Sequence, residues 1–346
     1  MYDSRSLNLL LLLPLLALLL PIPACALFQS QSPTPSGITA SLMPRYTPTP
    51  HSPMAQDSAV PSPHPSLTPA LLAVAPHLDS STYGDLAFAC DGSDVDVCRA
   101  SPDAWEIEYL TNQDSIDIDP SWSPDGTKIA FASDRASRQV GFDIYVLDLA
   151  SASIDQVTSG PGYDIRPSWS ADGSRLVFLR EGDGAFILTL PDNHLTPVLG
   201  TDNSTRSPQW SPNADQVAFL AQGDGAYVLE VADLRTDSLT TVPGAQVEGS
   251  RLGWHPEGRS IAFTARRDCK LWLVDLADGH QEPLTSGPGC DRDPAWSFDG
   301  LFLVFSSNRD TSADLYLLNV ETGATARLTT DALADAPSWL FHPSAQ

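Results

Sequence analysis

Basic side chains are scarce in this chain: 19 Lys and Arg stand against 43 Asp and Glu, leaving a formal net charge of −24 over 346 residues. The first 80 residues hold only Arg5 and Arg45 against Asp3, Asp57 and Asp79, so nearly all of the acidity lies beyond residue 80. A surface this acidic repels phosphodiester backbones and anionic headgroups, which excludes nucleic acid and points to basic, neutral or cationic partners. The common signatures of catalysis are missing too. No Gly-x-Ser-x-Gly elbow, His-Glu-x-x-His, phosphate loop or Gly-x-Gly-x-x-Gly occurs, which removes the best-known hydrolase, zinc-protease and nucleotide-binding classes. Beyond residue 80 histidine is limited to His194, His255, His280 and His342, with no metal-ligand spacing among them. Cysteine is limited to five, and no Cys-x-x-Cys pair suggests zinc or dithiol redox chemistry.

Long apolar runs are equally rare. The one at the start, Leu9 to Leu20, follows a short polar segment with Arg5 and precedes Pro21-Ile22-Pro23-Ala24-Cys25. It is too short to span a bilayer comfortably and has the layout of an export signal. Ile22-Pro23-Ala24-Cys25 resembles a bacterial lipobox, with Pro23 departing from the pattern, and the resemblance implies acylation of Cys25 in a signal covering residues 1–25. The alternative is an ordinary secretory signal with Cys25 incidental. Four cysteines then remain, Cys90, Cys98, Cys269 and Cys290. An even number in an exported chain favours disulfides. Proximity in sequence suggests Cys90 with Cys98 and Cys269 with Cys290, leaving open the other two connectivities and four buried thiols.

From Gln29 to Ser80 there are eleven prolines in 52 residues, with Ser and Thr filling most gaps. Such a segment lacks backbone donors and the apolar surface needed to offset ordering entropy, so residues 26–80 read as a disordered, extended tether. After it the texture becomes periodic. Trp122, Trp169, Trp210, Trp254, Trp296 and Trp339 are spaced 47, 41, 44, 42 and 43 residues apart, the length of one four-stranded propeller blade. The first five open similar phrases: Trp122-Ser123-Pro124-Asp125-Gly126, Trp169-Ser170-Ala171-Asp172-Gly173, Trp210-Ser211-Pro212-Asn213-Ala214, Trp254-His255-Pro256-Glu257-Gly258 and Trp296-Ser297-Phe298-Asp299-Gly300. Asp-Gly supplies the positive φ of a tight hairpin. A β-rich run comes after each turn, then alternating strands such as Asp143 to Leu149, then a closing threonine as in Gln156-Val157-Thr158 or Arg327-Leu328-Thr329.

The phrase from Pro120 to Arg135 resembles the Trp-Ser-Pro-Asp-Gly repeat of the TolB-like propellers, and the likeness recurs over nearly all of residues 84–346. The resemblance implies an all-β, six-bladed β-propeller over residues 81–346. Unit three, with Asn213-Ala214, and unit four, with His255 and Glu257, depart from the motif and are expected to have distorted hairpins. The final Pro337-Ser338-Trp339 lacks following strands, while Gly84 to Ala89 and Ala104 to Thr111 lack a preceding one. The sixth blade is therefore expected to combine the two ends of the domain, closing the ring. No counterpart of TolB's N-terminal domain is recognisable in the Pro/Ser/Thr stalk, so a Tol–Pal role is not carried over.

One tryptophan per blade at a fixed position is core packing rather than a ligand-stacking set. The segment before each is where inner strands converge on a channel mouth, and it holds Asp117, Asp119, Asp164, Arg166, Arg206, Arg251, Asp291, Arg292, Asp293 and Asp335. A mixed Asp/Arg ring there suits a peptide or acidic ligand, or else is a self-neutralised set of surface ion pairs. No cofactor is expected. Calcium is the one candidate, at Asp91, Asp94 and Asp96 or at Asp114, Asp117 and Asp119, although neither cluster follows a known calcium-loop pattern. The sequence thus predicts a non-catalytic, monomeric binding module at the cell surface or in the periplasm, taking an envelope protein or ligand and touching the membrane only through Cys25. Its rivals are a glycan lyase or hydrolase using Asp291 and Asp293, and a substrate-binding partner of a separate enzyme.

Overall fold

The runs after the tryptophan turns, such as Ile129-Ala130-Phe131-Ala132 and Leu176-Val177-Phe178-Leu179, are apolar at consecutive positions, the pattern of strands covered on both faces. A computed structural model places every one of them inside. It describes residues 78–340 except 81, 92–93, 137–140, 161, 191, 213–214, 311 and 331–333. The export signal, Cys25, almost all of the tether and the Asn213-Ala214 turn lie outside the described residues.

Twenty-four strands are described, in four sheets of four, eight, eight and four strands. Successive antiparallel meanders of four make them up, with two meanders joined in each eight-stranded sheet by a short pairing, Gly141 with Gly162 in one and Val247 with Ala265 in the other. Blade one takes its inner strand from the C-terminal end, Asp335–Trp339, followed by Leu86–Asp91, Val95–Ala100 and Ile107–Tyr109. The inner strands of blades two to six are Asp117–Trp122, Gly162–Trp169, Arg206–Trp210, Gly253–Trp254 and Asp291–Trp296. The second strand of each blade carries a phenylalanine with no exposed surface: Phe88, Phe131, Phe178, Phe219, Phe263 and Phe305. The core is thus repeated blade by blade.

Neighbouring blades are joined by the inner tryptophans. The indole Nε1–H of Trp169 donates to the Ser121 carbonyl of the preceding blade at 3.2 Å, that of Trp254 to Gln209 at 3.2 Å, and that of Trp296 to Gly253 at 3.1 Å. Gly253 is required at its position, because an added Cβ would stand 2.6 Å from the Pro294 carbonyl oxygen of the next blade. The Ser-x-Asp-Gly phrase works locally. Ser123 Oγ donates to Asp125 at 2.6 Å and accepts from the Lys128 backbone N–H at 2.9 Å, while Gly126 adopts φ 70°. Ser170 with Asp172 and Ser297 with Asp299 repeat the bond at 2.6 Å.

At unit four the expected distortion does not occur. His255 replaces the serine, yet His255 N–H still donates to Ser260 and Gly258 N–H to His255, at 2.9 and 2.8 Å. The turn is set by backbone bonds and by Gly258 at φ 69°, and the serine–aspartate bond only reinforces it. The closing threonines have a function as well: Thr111, Thr158, Thr285 and Thr329 accept the backbone N–H of Val97, Ile144, Leu271 and Leu315 at 2.8–3.0 Å.

The chain closes on itself through antiparallel pairing of Asp335–Trp339 with Leu86–Asp91, Leu86 facing Trp339. Trp339 Nε1–H donates to the Gly84 carbonyl at 2.7 Å, and the Trp122 backbone N–H donates to Ser338 Oγ at 3.2 Å. Disulfides join Cys90 to Cys98 and Cys269 to Cys290, with Cα–Cα separations of 5.9 and 4.8 Å. Leu78, in the expected tether, is buried against blade one and bonded to the Pro102 carbonyl.

Ending the chain at Ala334 removes this inner strand and leaves Leu86–Asp91 as an open edge. Loss of a buried tryptophan alone costs about 3–5 kcal/mol, and about 2–4 °C per kcal/mol applies to a domain of this size. The truncated protein is expected to melt at least about 10 °C below the full chain by circular dichroism. Equal melting temperatures would refute closure as the stabilising device.

Candidate functional site

Counting back from each inner tryptophan sorts the candidate residues into three sets. Five residues ahead stand Asp117, Asp164 and Asp291, with 0 %, 3 % and 0 % of their surface exposed. Each is held by a cation from the end of the next strand or beyond. Arg135 Nη2 donates to Asp117 at 2.8 Å, Arg180 grips Asp164 through Nε and Nη2 at 2.7 Å each, and Arg309 Nη2 donates to Asp291 at 2.9 Å, with Lys270 Nζ 3.3 Å away. Those arginines lie over aromatic pairs, Arg135 on Phe131 and Tyr145, Arg180 on Phe178 and Phe186, Arg309 on Phe305 and Tyr316, at 4.8–5.6 Å from the ring centres. This is a repeated internal clamp. Removing one partner would strand a buried charge, so these three aspartates serve the fold, and Asp291 is parted from Asp293 as an acid–base pair.

Three residues ahead stand Asp119, Arg166, Ser207, Arg251, Asp293 and Ala336. Five of the six adopt positive φ, between 49° and 57°, at a register shift of the inner strand. A non-glycine residue in that region carries a real conformational cost, and a bulge re-aims the side chain. Here the six converge. Arg251, from blade five, reaches across the ring to the carbonyls of Asp119 and Pro120 on blade two at 3.2 and 3.3 Å and of Ala336 on blade one at 3.2 Å. Its Nε lies 3.5 Å from an Asp119 carboxylate oxygen, and its backbone N–H donates to Asp293 at 2.8 Å. Arg166, from blade three, donates to Ser207 Oγ and to the Gly249 carbonyl, the latter at 3.3 Å, and Ser207 Oγ donates to the Ser250 carbonyl at 2.7 Å. The axis is thus crossed by two guanidinium groups that tie blades three, four and five together and blade five to blades one and two, while the Arg251 backbone ties blade five to blade six. Arg166 is 4 % exposed, and its Nε–H has no hydrogen-bond partner among the described residues.

Four residues ahead stand Arg206, Arg292 and Asp335, more open to solvent. Arg206 bonds to carbonyls of its own loop, Thr205 at 2.7 Å, and Arg292 to Cys290 Sγ at 3.0 Å. Asp335 belongs with the axial group. Water reaches it, yet protein surrounds it on nearly every side, as expected for a side chain inside a narrow wet channel. That enclosure raises its pKa from 3.8 to about 7, with Asp293 and Asp119 adding to the rise and Arg251 and Arg166 opposing it.

The ten residues singled out in the sequence thus divide into a buried clamp set, an axial set and an open set. Ser207, which stands at the axial offset of three from Trp210, was not among them. Neither acidic cluster is arranged for calcium: Asp96 accepts from Thr111 at 3.2 Å, Asp117 is clamped, and Asp119 faces Arg251. Among the described residues no group of three or more His, Cys, Asp or Glu is placed to hold a metal. A separate cleft of about 320 Å³ between the outer parts of blades two and three, lined by Gln156, Val157, Asn193 and Leu195, holds none of the axial residues.

Comparison with known proteins bears on this geometry. The profile of the TolB β-propeller domain matches residues 91–192 and 195–343, most of the chain. TolB from Acinetobacter baumannii superposes with a TM-score of 0.65 at 19% identity, over 74% of this chain and 66% of that one. A putative TolB from Agrobacterium tumefaciens gives 0.55 at 19% identity, over 70% and 87%. An uncharacterized protein of Agrobacterium fabrum (strain C58) is 31% identical over 94 residues, covering 27% of this chain and 31% of that protein. The chain thus spans under a third of that relative and just under two thirds of the Acinetobacter protein. At 19% identity the structural likeness is one of fold.

Asp335 makes stability depend on pH with a definite sign. Its pKa in the folded protein, about 7, lies above the unfolded value of 3.8. Between those values the folded state holds a proton that the unfolded state has lost, so stability falls as pH rises through the window. Asp335→Asn is expected to raise Tm at pH 8 by about 2 °C, a shift kept small by solvent access in the channel, and to do little at pH 4. Thermal melts at both values decide it, and an equal shift at both would assign the effect elsewhere.

Proposed function

The chain belongs to the TolB β-propeller domain family, and from that premise we propose that it is an exported, non-catalytic binding module that takes an envelope protein or peptide at the mouth of its axial channel. The observation that carries this is the pattern of variation. Trp, Ser, Asp, Gly, Phe and Thr recur at their offsets because each performs the same packing or capping task in several blades. The offset-three ring instead runs Asp, Arg, Ser, Arg, Asp, Ala, in a backbone conformation that costs energy at five of the six positions. Unlike groups converging on one axis, with Asp335 open to solvent beside the buried guanidinium groups of Arg166 and Arg251, form a polar recognition surface.

Two disulfides fit an oxidising compartment. Acylated Cys25 would anchor the chain, and the proline-rich segment after it would hold the propeller away from the membrane. A single acyl chain binds a bilayer only marginally, so firm anchoring requires the multiple chains that a lipobox cysteine carries.

Capture from envelope extract tests the site. Full-length protein is compared with the double variant Arg206→Glu, Asp335→Lys, which alters the open positions and leaves Arg166 and Arg251 in place. Retention of the partner is expected to fall at least about tenfold in the variant, as charge reversal at a contact surface commonly does, with the native circular-dichroism spectrum kept and Tm moved by no more than the few degrees that the Asp335 carboxylate accounts for. Equal retention would move the site off the channel mouth. Cleavage of an envelope glycan that is lost in Asp293→Asn would replace the binding module with an enzyme. For the anchor, a clickable fatty acid is expected to label the chain and not Cys25→Ala, whereas an unlabelled parent chain would leave Cys25 without that role.

A further inference from the structure

The two disulfides differ in ways that bear on reactivity. Cys90 and Cys98 are 2 % and 0 % exposed, inside the apolar cluster formed by Leu86, Phe88 and Trp339. Cys269 and Cys290 are half-buried, on the loop before strand Lys270–Asp275 and just ahead of Asp291–Trp296. In a chain this acidic, three exposed arginines lie within three residues of that second pair in sequence: Arg266 and Arg267 before Cys269, and Arg292 after Cys290. The Arg292 guanidinium points its Nε–H at Cys290 Sγ, 3.0 Å away, with Nη2 4.0 Å from Cys269 Sγ. Arg267 is braced 3.6 Å above the Trp272 ring. The acidic residue on the same loop, Asp268, accepts from the Trp272 indole at 3.1 Å and lies 3.9 Å from Arg267 Nε.

We propose that Cys269–Cys290 is a thiol–disulfide exchange site for anionic, carboxylate-bearing thiols, with Cys290 as the leaving sulfur and Arg292 as the group that holds its charge. This is independent of the axial site. An incoming thiolate attacks Cys269 Sγ, the S–S electron pair passes to Cys290, and Cys290 departs as a thiolate accepting from Arg292 Nε–H. The external sulfur is left bonded to Cys269 as a mixed disulfide. A second thiolate attacks the external sulfur and releases Cys269, which takes a proton from water. Two external thiols are oxidised to one disulfide and the protein disulfide is reduced. Attack is directed at Cys269 because the better leaving group is the thiol whose anion is stabilised.

The surrounding structure holds the two segments together when the bond opens. The Asp291 N–H donates to the Cys269 carbonyl at 2.9 Å, and Lys270 Nζ bonds to the Pro288 and Gly289 carbonyls at 2.9 and 2.7 Å. Opening is therefore local and reversible. The neighbouring residue two positions on, Asp293, accepts from the Arg251 backbone, so exchange takes place one strand-end away from the axial group.

The test uses the full oxidised chain, exposed to reduced glutathione or to cysteamine at equal thiolate concentration, with freed cysteines alkylated and mapped by mass spectrometry over time. Cys269 and Cys290 are expected to be freed at least about tenfold faster than Cys90 and Cys98, with glutathione faster than the cationic cysteamine. Arg292→Gln is expected to slow opening by both thiols about three- to tenfold, through the poorer leaving group. Arg266→Gln with Arg267→Gln is expected to narrow the preference for glutathione from both sides, slowing glutathione and speeding the cationic cysteamine, since these arginines act through charge and neither touches sulfur. Simultaneous opening of both disulfides, or a rate untouched by Arg292→Gln in a variant that melts normally, would overturn the proposal.

Discussion

A ring of sheets is free of open edges only when its last strand pairs with its first, and the rest of this fold depends on that meeting. The strand Asp335–Trp339 pairs with Leu86–Asp91 some 250 residues away in sequence, and Trp339 Nε1 bonds to the Gly84 carbonyl. Elsewhere the indoles of Trp169, Trp254 and Trp296 donate to the blade before them. At the seam the pattern changes: Trp339 bonds within its own blade, and the Trp122 indole has no hydrogen-bond partner among the described residues. The seam keeps another inter-blade bond, Ser338 Oγ accepting from the Trp122 backbone N–H as Ser168 Oγ does from that of Trp210. Non-local closure of this kind carries a loop-entropy cost that local hairpins do not, which is why both chain ends matter to stability.

The fold was legible because its instructions are local. Trp-Ser-Pro-Asp-Gly specifies a turn through bonds that span no more than five residues, such as Ser123 with Asp125 and Lys128, and the apolar run after it specifies a doubly covered strand. Even where the motif is damaged, at His255, the backbone bonds and Gly258 suffice. The site was less legible because its chemistry is decided by partners far along the chain. Asp117 and Asp119 look alike in sequence. One meets Arg135 at the end of the next strand, and the other meets Arg251 on the far side of the ring, more than 130 residues on. The first of these contacts had a sequence trace, an arginine 16 to 18 residues after Asp117, Asp164 and Asp291 that ends the next strand or lies just beyond it. The second had none beyond the offset from tryptophan.

These two kinds of contact divide the charges by task. Clamp aspartates are buried, bonded to arginine and backed by aromatic faces, an arrangement in which planar guanidinium groups satisfy a carboxylate and cover a ring at once. Axial charges are satisfied incompletely. Arg251 directs most of its donors to backbone carbonyls and not to carboxylates, so Asp119, Asp293 and Asp335 are only partly neutralised. Asp335 takes up protons readily because protein encloses it and, secondly, because the Asp293 and Asp119 carboxylates stand near it.

That incompleteness is a product of geometry. Six inner strands meeting on one axis cannot all present the same charge without repulsion, and they cannot all present large apolar side chains without overfilling the channel. Alternating Asp and Arg with Ser207 and Ala336 satisfies both limits, and the positive φ at five of the positions turns the groups toward one another at a conformational cost that the repeated core offsets. Since every blade contributes a single residue there, one substitution changes the channel without altering a turn, a clamp or a tryptophan. The repeat fixes where the six groups stand, and the residue placed at each offset fixes what they can bind.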